Sequence, residues 1–271
     1  MSALRQSLAS YLAVRRSLGY KLERPEKLLG QFISWLEDAG AATVTTEHAL
    51  AWATLPGRDP YWHAYRLAVV RGFALHLHTT DPAAEVPPAG LIPARPHRAT
   101  PYLYSDADIT ALIAAAPGLR FPLRLATYQT LIGLLAVTGM RVGEAIRLDR
   151  PDLDLATGVI TVRQSKFGKT RLLPLHGSTV TALRDYLRLR DRLCPRPATP
   201  AVLISPAGTR LLYCNVHATW KLLAAAAGLQ PRSAACRPRI HDLRHYADGW
   251  VMRPAVAFRL LGAEELALQS A

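Results

Sequence analysis

Residues 138–175 read TGMRVGEAIRLDRPDLDLATGVITVRQSKFGKTRLLPL, and the periodicity of the chain changes within this stretch. Thr138-Gly139 closes a long apolar helical run that starts near Phe121, and a new helix is expected from Arg141 through Leu148. Beyond it, Asp152 to Leu155, Val159 to Arg163 and Thr170 to Leu175 alternate or carry β-branched residues, with turns at Thr157-Gly158 and Phe167-Gly168. This pattern predicts a three-stranded antiparallel sheet set among helices. The fold class is therefore mainly α with a small antiparallel β-sheet.

The same stretch carries chemistry. Arg141 falls at a helix start, where the dipole favours anions, and Glu144 shares its face three residues on and can orient it. Lys166 and Lys169 flank the second turn and are expected to project from the tip of a hairpin. Only five of the 33 basic residues are lysines, so two within four positions stand out. A lysine can release a proton near neutral pH, whereas an arginine cannot.

Downstream, helices are expected from about Ser178 to Leu193 and from Asn215 to Ala227, with a proline-rich loop and a short Val202 to Ser205 run between them. Then comes His241-Asp242-Leu243-Arg244-His245. If this segment is helical, the i, i+3 and i+4 spacing puts His241, Arg244 and His245 on one face. A guanidinium fork beside two imidazoles is suited to gripping a phosphate and moving protons around it. The two histidines also have the spacing of zinc ligands, but no third ligand follows, and no metal is expected. Pro254 is expected to interrupt the chain before a last helix near Ala255 to Leu261.

Upstream, residues 1–80 read as a four-helix domain. Leu4, Leu8, Tyr11 and Leu12 give the first helix its stripe, and Gly19 stops it. A second helix starts near Pro25 and buries Leu28, Leu29, Phe32 and Leu36. A third starts at Thr46-Glu47. The fourth, Pro60 to His78, turns Ala64, Leu67, Val70, Ala74 and Leu77 inward and leaves Arg66 and Arg71 to face a partner. Residues 81–100 hold five prolines and little periodicity, the composition of a semi-stiff linker. The second domain spans 101–271 and opens on a Ser105 helix cap.

A formal charge of +13 points to a polyanion, and nucleic acid is the first candidate. The excess is concentrated: residues 101–271 carry 22 basic and 12 acidic groups, against 9 and 6 in residues 1–80. Cys194, Cys214 and Cys236 lack C-x-x-C spacing and read as reduced, packed thiols. The longest apolar runs fall far short of the roughly 18 residues of a membrane span, and the N-terminus has no signal-peptide pattern. A cytoplasmic protein is expected.

Taken together, Thr138 to Glu144, Lys166 within Ser165 to Leu175, and His241 to His245 strongly resemble the motifs of the tyrosine recombinases, the phage integrase family. Order, separation and the intervening hairpin all fit, and the resemblance covers nearly the whole chain. It implies a helical core-binding domain ahead of a catalytic domain, double-stranded DNA as partner, and further recombinase subunits in a tetramer on DNA. Arg141 and Arg244 would clamp the non-bridging oxygens of the scissile phosphate, and Lys166 would protonate the departing 5′-hydroxyl. His241 would hydrogen-bond the phosphate or exchange a proton with the nucleophile, with His245 bracing the site and Glu144 fixing Arg141. Arg66, Arg71 and Lys169 would contact DNA. No cofactor is implied, because the family stores bond energy in a phosphotyrosine.

The resemblance also implies a nucleophilic tyrosine beyond a Leu-Leu-Gly-His type motif. Here Leu260-Leu261-Gly262 is followed by Ala263, and no tyrosine occurs after Tyr246. Tyr246 lies two positions from Arg244, on another helix face. A truncation or frameshift near residue 246 is one expectation, and a shortened in-frame tail is the other. Three functional readings follow: a recombinase inactive alone for want of its nucleophile, an enzyme whose tyrosine comes from another subunit, and a DNA-binding module that occupies recombination sites or modulates a full-length relative.

Overall fold

The structure is a computed structural model that describes residues 2–55, 59–93, 99–163 and 169–248. The chain divides into two compact units, Met1–His97 and Arg98–Ala271. No helix among the described residues is long and apolar enough to cross a membrane.

The first unit contains α1 (Ala3–Ser17), α2 (Glu23–Asp38), α3 (Thr46–Ala53) and α4 (Pro60–Leu77). Side-chain caps set three of the starts: the Ser2, Thr45 and Asp59 oxygens accept from the N–H groups of Arg5, His48 and Trp62, the last at 2.9 Å. The core forms where the apolar stripes meet, around Phe32, Ile33, Leu36, Val70 and Phe73, with Trp52 tilted against Phe32 at 5.2 Å between ring centres.

Two expectations change here. Residues 81–93 are not a bare linker: Ala84 is fully buried in the helical core, Asp81 accepts from the Thr43 hydroxyl at 2.8 Å, and the Glu85 carboxylate accepts from the Thr46 N–H at 2.7 Å. Proline content suggested a spacer, but these tertiary contacts make the segment part of the first unit. Arg66 does not face outward. It is buried, with its guanidinium 3.7 Å from the centre of the Trp52 ring, because a planar cation can lie on an indole face inside the helical bundle. Arg71 is half-buried.

The second unit is organised around α6 (Pro122–Thr138). Pro122 suits the first turn, and Gly139, at φ 61, ends the helix in a left-handed conformation that glycine adopts without steric cost. Leu131, Leu134 and their neighbours are buried on nearly every side of α6. Around it pack α5 (Asp106–Ala114), α8 (Gly177–Leu193) and α10 (Leu243–Asp248), with α9 (Tyr213–Ala226) against α5. Ser105 and Asp108 cap α5 reciprocally.

Strands β1 (Leu153–Asp154), β2 (Val159–Val162) and β3 (Arg171–Pro174) form one antiparallel sheet in the order β1-β2-β3. The register pairs Leu153 with Ile160, Ile160 with Leu173, and Val162 with Arg171. Ile160 and Val162 turn into the core, which is the alternation expected of a half-buried strand. The Val202 to Ser205 run makes one isolated bridge, Ile204 with Arg210, and the preceding Ala201 makes another with Asp149. Arg190 is buried and holds that run by donating to the Ala201 carbonyl at 2.8 Å. The cysteines are unpaired; Cys236 is buried, but Cys214 is exposed.

Candidate functional site

The site grows from a short helix, α7 (Val142–Arg147), which follows the Gly139 turn. Arg141 is its N-cap residue in extended conformation, φ −74° and ψ 147°. Six residues make a marginal helix, so both ends need outside support. At the N-terminal end the Glu144 carboxylate reaches back to accept the Arg141 N–H at 2.8 Å. At the other end Arg210 donates to the Ile146 carbonyl at 2.8 Å and to Asp149 at 2.6 Å. Arg141 thus projects from a segment pinned at both ends.

Glu144 is a buried hub, its side chain only 2% exposed. Besides the backbone contact, Oε1 accepts from Arg141 Nη1 at 3.0 Å and from Arg171 Nη1 at 3.1 Å, and Oε2 accepts from Arg171 Nη2 at 2.7 Å. Burial pushes its carboxyl up. The Arg171 hydrogen bonds, the Arg141 N–H and guanidinium, and the Arg171 charge outweigh this and hold it down at about 2. Sequence reasoning placed Glu144 beside Arg141 but missed Arg171. The only signal for it was an arginine in a strand whose near end adjoins the lysine hairpin.

The second arm is not the continuous helix expected. Ile240–Asp242 form a 3₁₀ turn, and α10 begins at Leu243, so His241, Arg244 and His245 do not share a regular helical face. The turn exists because Asp242 is drawn inside. Its carboxylate is almost fully buried and accepts the Tyr102 N–H at 3.1 Å and both Nε and Nη2 of Arg239, at 2.9 and 3.0 Å. Tyr104 donates to the Arg239 carbonyl at 3.0 Å, its phenol pushed up by burial and by the Asp242 charge. Sequence reading passed over Asp242 as a residue between two histidines.

His241 and His245 are exposed, and Arg244 is half-buried with its Nη1 buried and without a hydrogen-bond partner among the described residues. Buried polar groups are nearly always satisfied, so this nitrogen has room for a ligand's acceptor, although the Nε atoms of Arg15, Arg71 and Arg190 are orphaned in the same way. Arg141 is similar: only its Nη1 has a partner among the described residues, and the side chain is 38% exposed. Neither arginine contacts the other directly. α7 and α10 each pack against α6.

Tyr246 is accounted for differently. Its phenol is buried and donates to Asp106 Oδ1 at 2.9 Å, in the first turn of α5. Burial and the Asp106 hydrogen bond push the phenol well above its usual value. This is a structural tyrosine.

Lys166 lies outside the described residues, as does the expected helix Ala255 to Leu261. Lys169 is exposed at the start of the segment leading into β3. A cavity of about 420 Å³ beside Glu144 is lined by further charges, but its acids are paired: Asp149 with Arg210 and Asp152 with Arg163. Among the described residues no cluster of His, Cys, Asp and Glu is suited to a metal ion.

Comparison with known proteins adds the following. The model of the phage integrase family matches residues 105–261. A protein of Sinorhizobium fredii described as an integrase/recombinase is 44% identical over 252 residues, covering 90% of this chain and 80% of its own. The tyrosine recombinase XerD of Xanthomonas campestris pv. campestris is 30% identical over 223 residues, covering 78% of this chain and 67% of its own. Among solved structures, a lambda integrase tetramer bound to a Holliday junction is similar in fold, with a TM-score of 0.58 at 19% identity over 95% of this chain and 75% of that one.

Proposed function

Because the chain belongs to the phage integrase family of tyrosine recombinases, we propose that it binds double-stranded DNA at recombination sites and grips the scissile phosphate between Arg141 and Arg244. The observation that carries this reading is the orphaned Arg244 nitrogen together with the solvent-open fork of Arg141. Among the described residues Arg244 Nη1 is buried without an acceptor, and Arg141 spends one nitrogen on Glu144. A phosphate supplies the acceptors that both lack, and charge developing on its oxygens strengthens those bonds.

In this reading Lys166 supplies the proton to the departing 5′-oxygen, because an ammonium can release one and a guanidinium cannot. His241, exposed on its turn, hydrogen-bonds the phosphate or passes a proton. His245 lies on the surface beside it, so any support it gives is exerted through bound DNA. Arg71 and Lys169 contribute to DNA contact; Arg66, stacked on Trp52, supports the helical unit and leaves the backbone to its neighbours. Assembly with further recombinase subunits belongs to the same proposal, and the lambda integrase of similar fold is a tetramer on its junction.

Strand cleavage in this family needs a tyrosine. Tyr246 is committed to Asp106, and the sequence holds no tyrosine after it. We therefore read these 271 residues as gripping the phosphate without supplying the nucleophile, the part of a binding partner or modulator.

The test uses labelled duplexes selected from a random pool on the protein itself. Binding that weakens steeply with salt, with Arg141→Ala and Arg244→Ala both impaired, supports the clamp. Binding indifferent to both substitutions sinks it. On nicked substrates, a covalent protein–DNA band on a denaturing gel would overturn the non-cutting reading and leave the clamp intact.

A further inference from the structure

We propose that Arg171 is a positioning residue: it occupies the Glu144 carboxylate so that Arg141 yields only one nitrogen to it and keeps the rest of its fork for the phosphate. The inference rests on the clamp proposed above. It concerns how that clamp is kept open.

A carboxylate has two oxygens and about four acceptor positions. On Glu144 all four are used: Oε1 accepts from Arg141 Nη1 and Arg171 Nη1, and Oε2 accepts from the Arg141 N–H and Arg171 Nη2. Arg171 takes two of the four through its terminal nitrogens, the fork geometry that arginine prefers with carboxylates. Its two distances, 3.1 and 2.7 Å, bracket the 3.0 Å that the Arg141 side chain achieves.

Remove Arg171, and two acceptor positions fall empty on a carboxylate that water scarcely reaches. Arg141 already holds Oε1 through Nη1, so its remaining nitrogens are donors at hand to fill them. A second bond from Arg141 turns its fork inward, toward Glu144 and away from any phosphate. The charge balance shifts in the same direction. With both arginines present one positive charge remains in excess over Glu144, and with Arg141 alone none does.

The location of Arg171 adds to the argument. It pairs with Val162 at the end of the β2–β3 ladder and lies two residues from Lys169. The ion pair therefore joins the loop end of the β2–β3 ladder to α7, across 27 positions of sequence.

Binding is measured by fluorescence anisotropy on a duplex selected from a random pool on the parent protein. The variants are Arg141→Ala, Arg171→Met, Glu144→Gln and the double Arg171→Met/Glu144→Gln. Arg171→Met is expected to lose affinity about tenfold, comparable to Arg141→Ala. Adding Glu144→Gln is expected to restore binding to within about threefold of Glu144→Gln alone, because an uncharged amide no longer captures Arg141. A merely structural Arg171 would give additive losses. Thermal midpoints accompany each measurement, and if Arg171→Met fails to fold, Arg171→Lys takes its place: charge without the fork should bind between parent and Arg141→Ala. Unchanged binding by Arg171→Met or Arg171→Lys, or additive losses in the double variant, overturns the proposal. If Arg141→Ala itself binds like the parent, the clamp reading has failed, a result distinct from failure of Arg171 alone.

Discussion

Tyr246 Oη donates to Asp106 Oδ1 at 2.9 Å, joining residues 140 positions apart and tying the helix of Arg244 to the first turn of α5. A hydrogen bond to a charged acceptor contributes about 1.5–3 kcal/mol. Tyr246→Phe should therefore lower the unfolding free energy by roughly 1–2 kcal/mol in urea titrations. It should leave salt-dependent DNA binding unchanged. A covalent DNA adduct that appears with the parent and disappears in this variant would reassign Tyr246 as a nucleophile.

Arg244 presents the opposite case. Its buried Nη1 has no acceptor among the described residues, while its aliphatic stem can pack. Arg244→Met keeps the stem and removes the orphaned donor, so the thermal midpoint should stay level or rise. DNA affinity should fall at least about tenfold, the loss expected for a charged hydrogen bond. Loss of both stability and binding would mean that Arg244 serves the fold instead.

Asp242 anchors the second arm. Asp242→Ala leaves the Tyr102 N–H and the Arg239 fork without their acceptor. Breaking a buried pair costs about 3–5 kcal/mol, and Arg239 can partly reach water, so roughly 2–3 kcal/mol is expected from urea midpoints at unchanged m. DNA binding should weaken with it, since the turn carrying His241 loses its tether. A midpoint equal to the parent's would show that the turn holds without Asp242.

Acid should report on Glu144. Its folded value near 2 lies below the unfolded value of 4.5, so its contribution is fully present above pH 4.5 and lost as pH falls toward 2. The shift corresponds to roughly 3 kcal/mol. Stability measured from pH 6 to pH 2 should drop through that window, and Glu144→Gln should flatten the curve there. Parallel curves for the two proteins would place the acid-sensitive group elsewhere.

Much of this architecture was legible in the sequence because its signals are local. Pro60, Pro122 and Gly139 bound their helices, and the alternation of Val159 to Val162 set the strand facing. What escaped was long-range or exceptional. Arg66 followed the rule that arginines face water until an indole lay beneath it. Ala84 sat in proline-rich company, and only tertiary contact makes it core. Arg171 meets Glu144 across 27 positions, a pairing that no helical or strand period encodes. Arg141 and Arg244 were evident as residue types in a motif, but the 3₁₀ turn that replaces a helix at His241 depends on Asp242 finding Tyr102.

Since both α7 and α10 lean on α6, that helix acts as a common chassis for two arms that the sequence places about a hundred residues apart. A change in its packing cannot be confined to one arm. Over evolutionary time this separates two kinds of variation. Substitutions inside α6 disturb both arms at once and have few compensating routes, whereas exposed positions outside the candidate site are less constrained. A lineage can therefore vary its surface while the placement of Arg141 and Arg244 stays fixed.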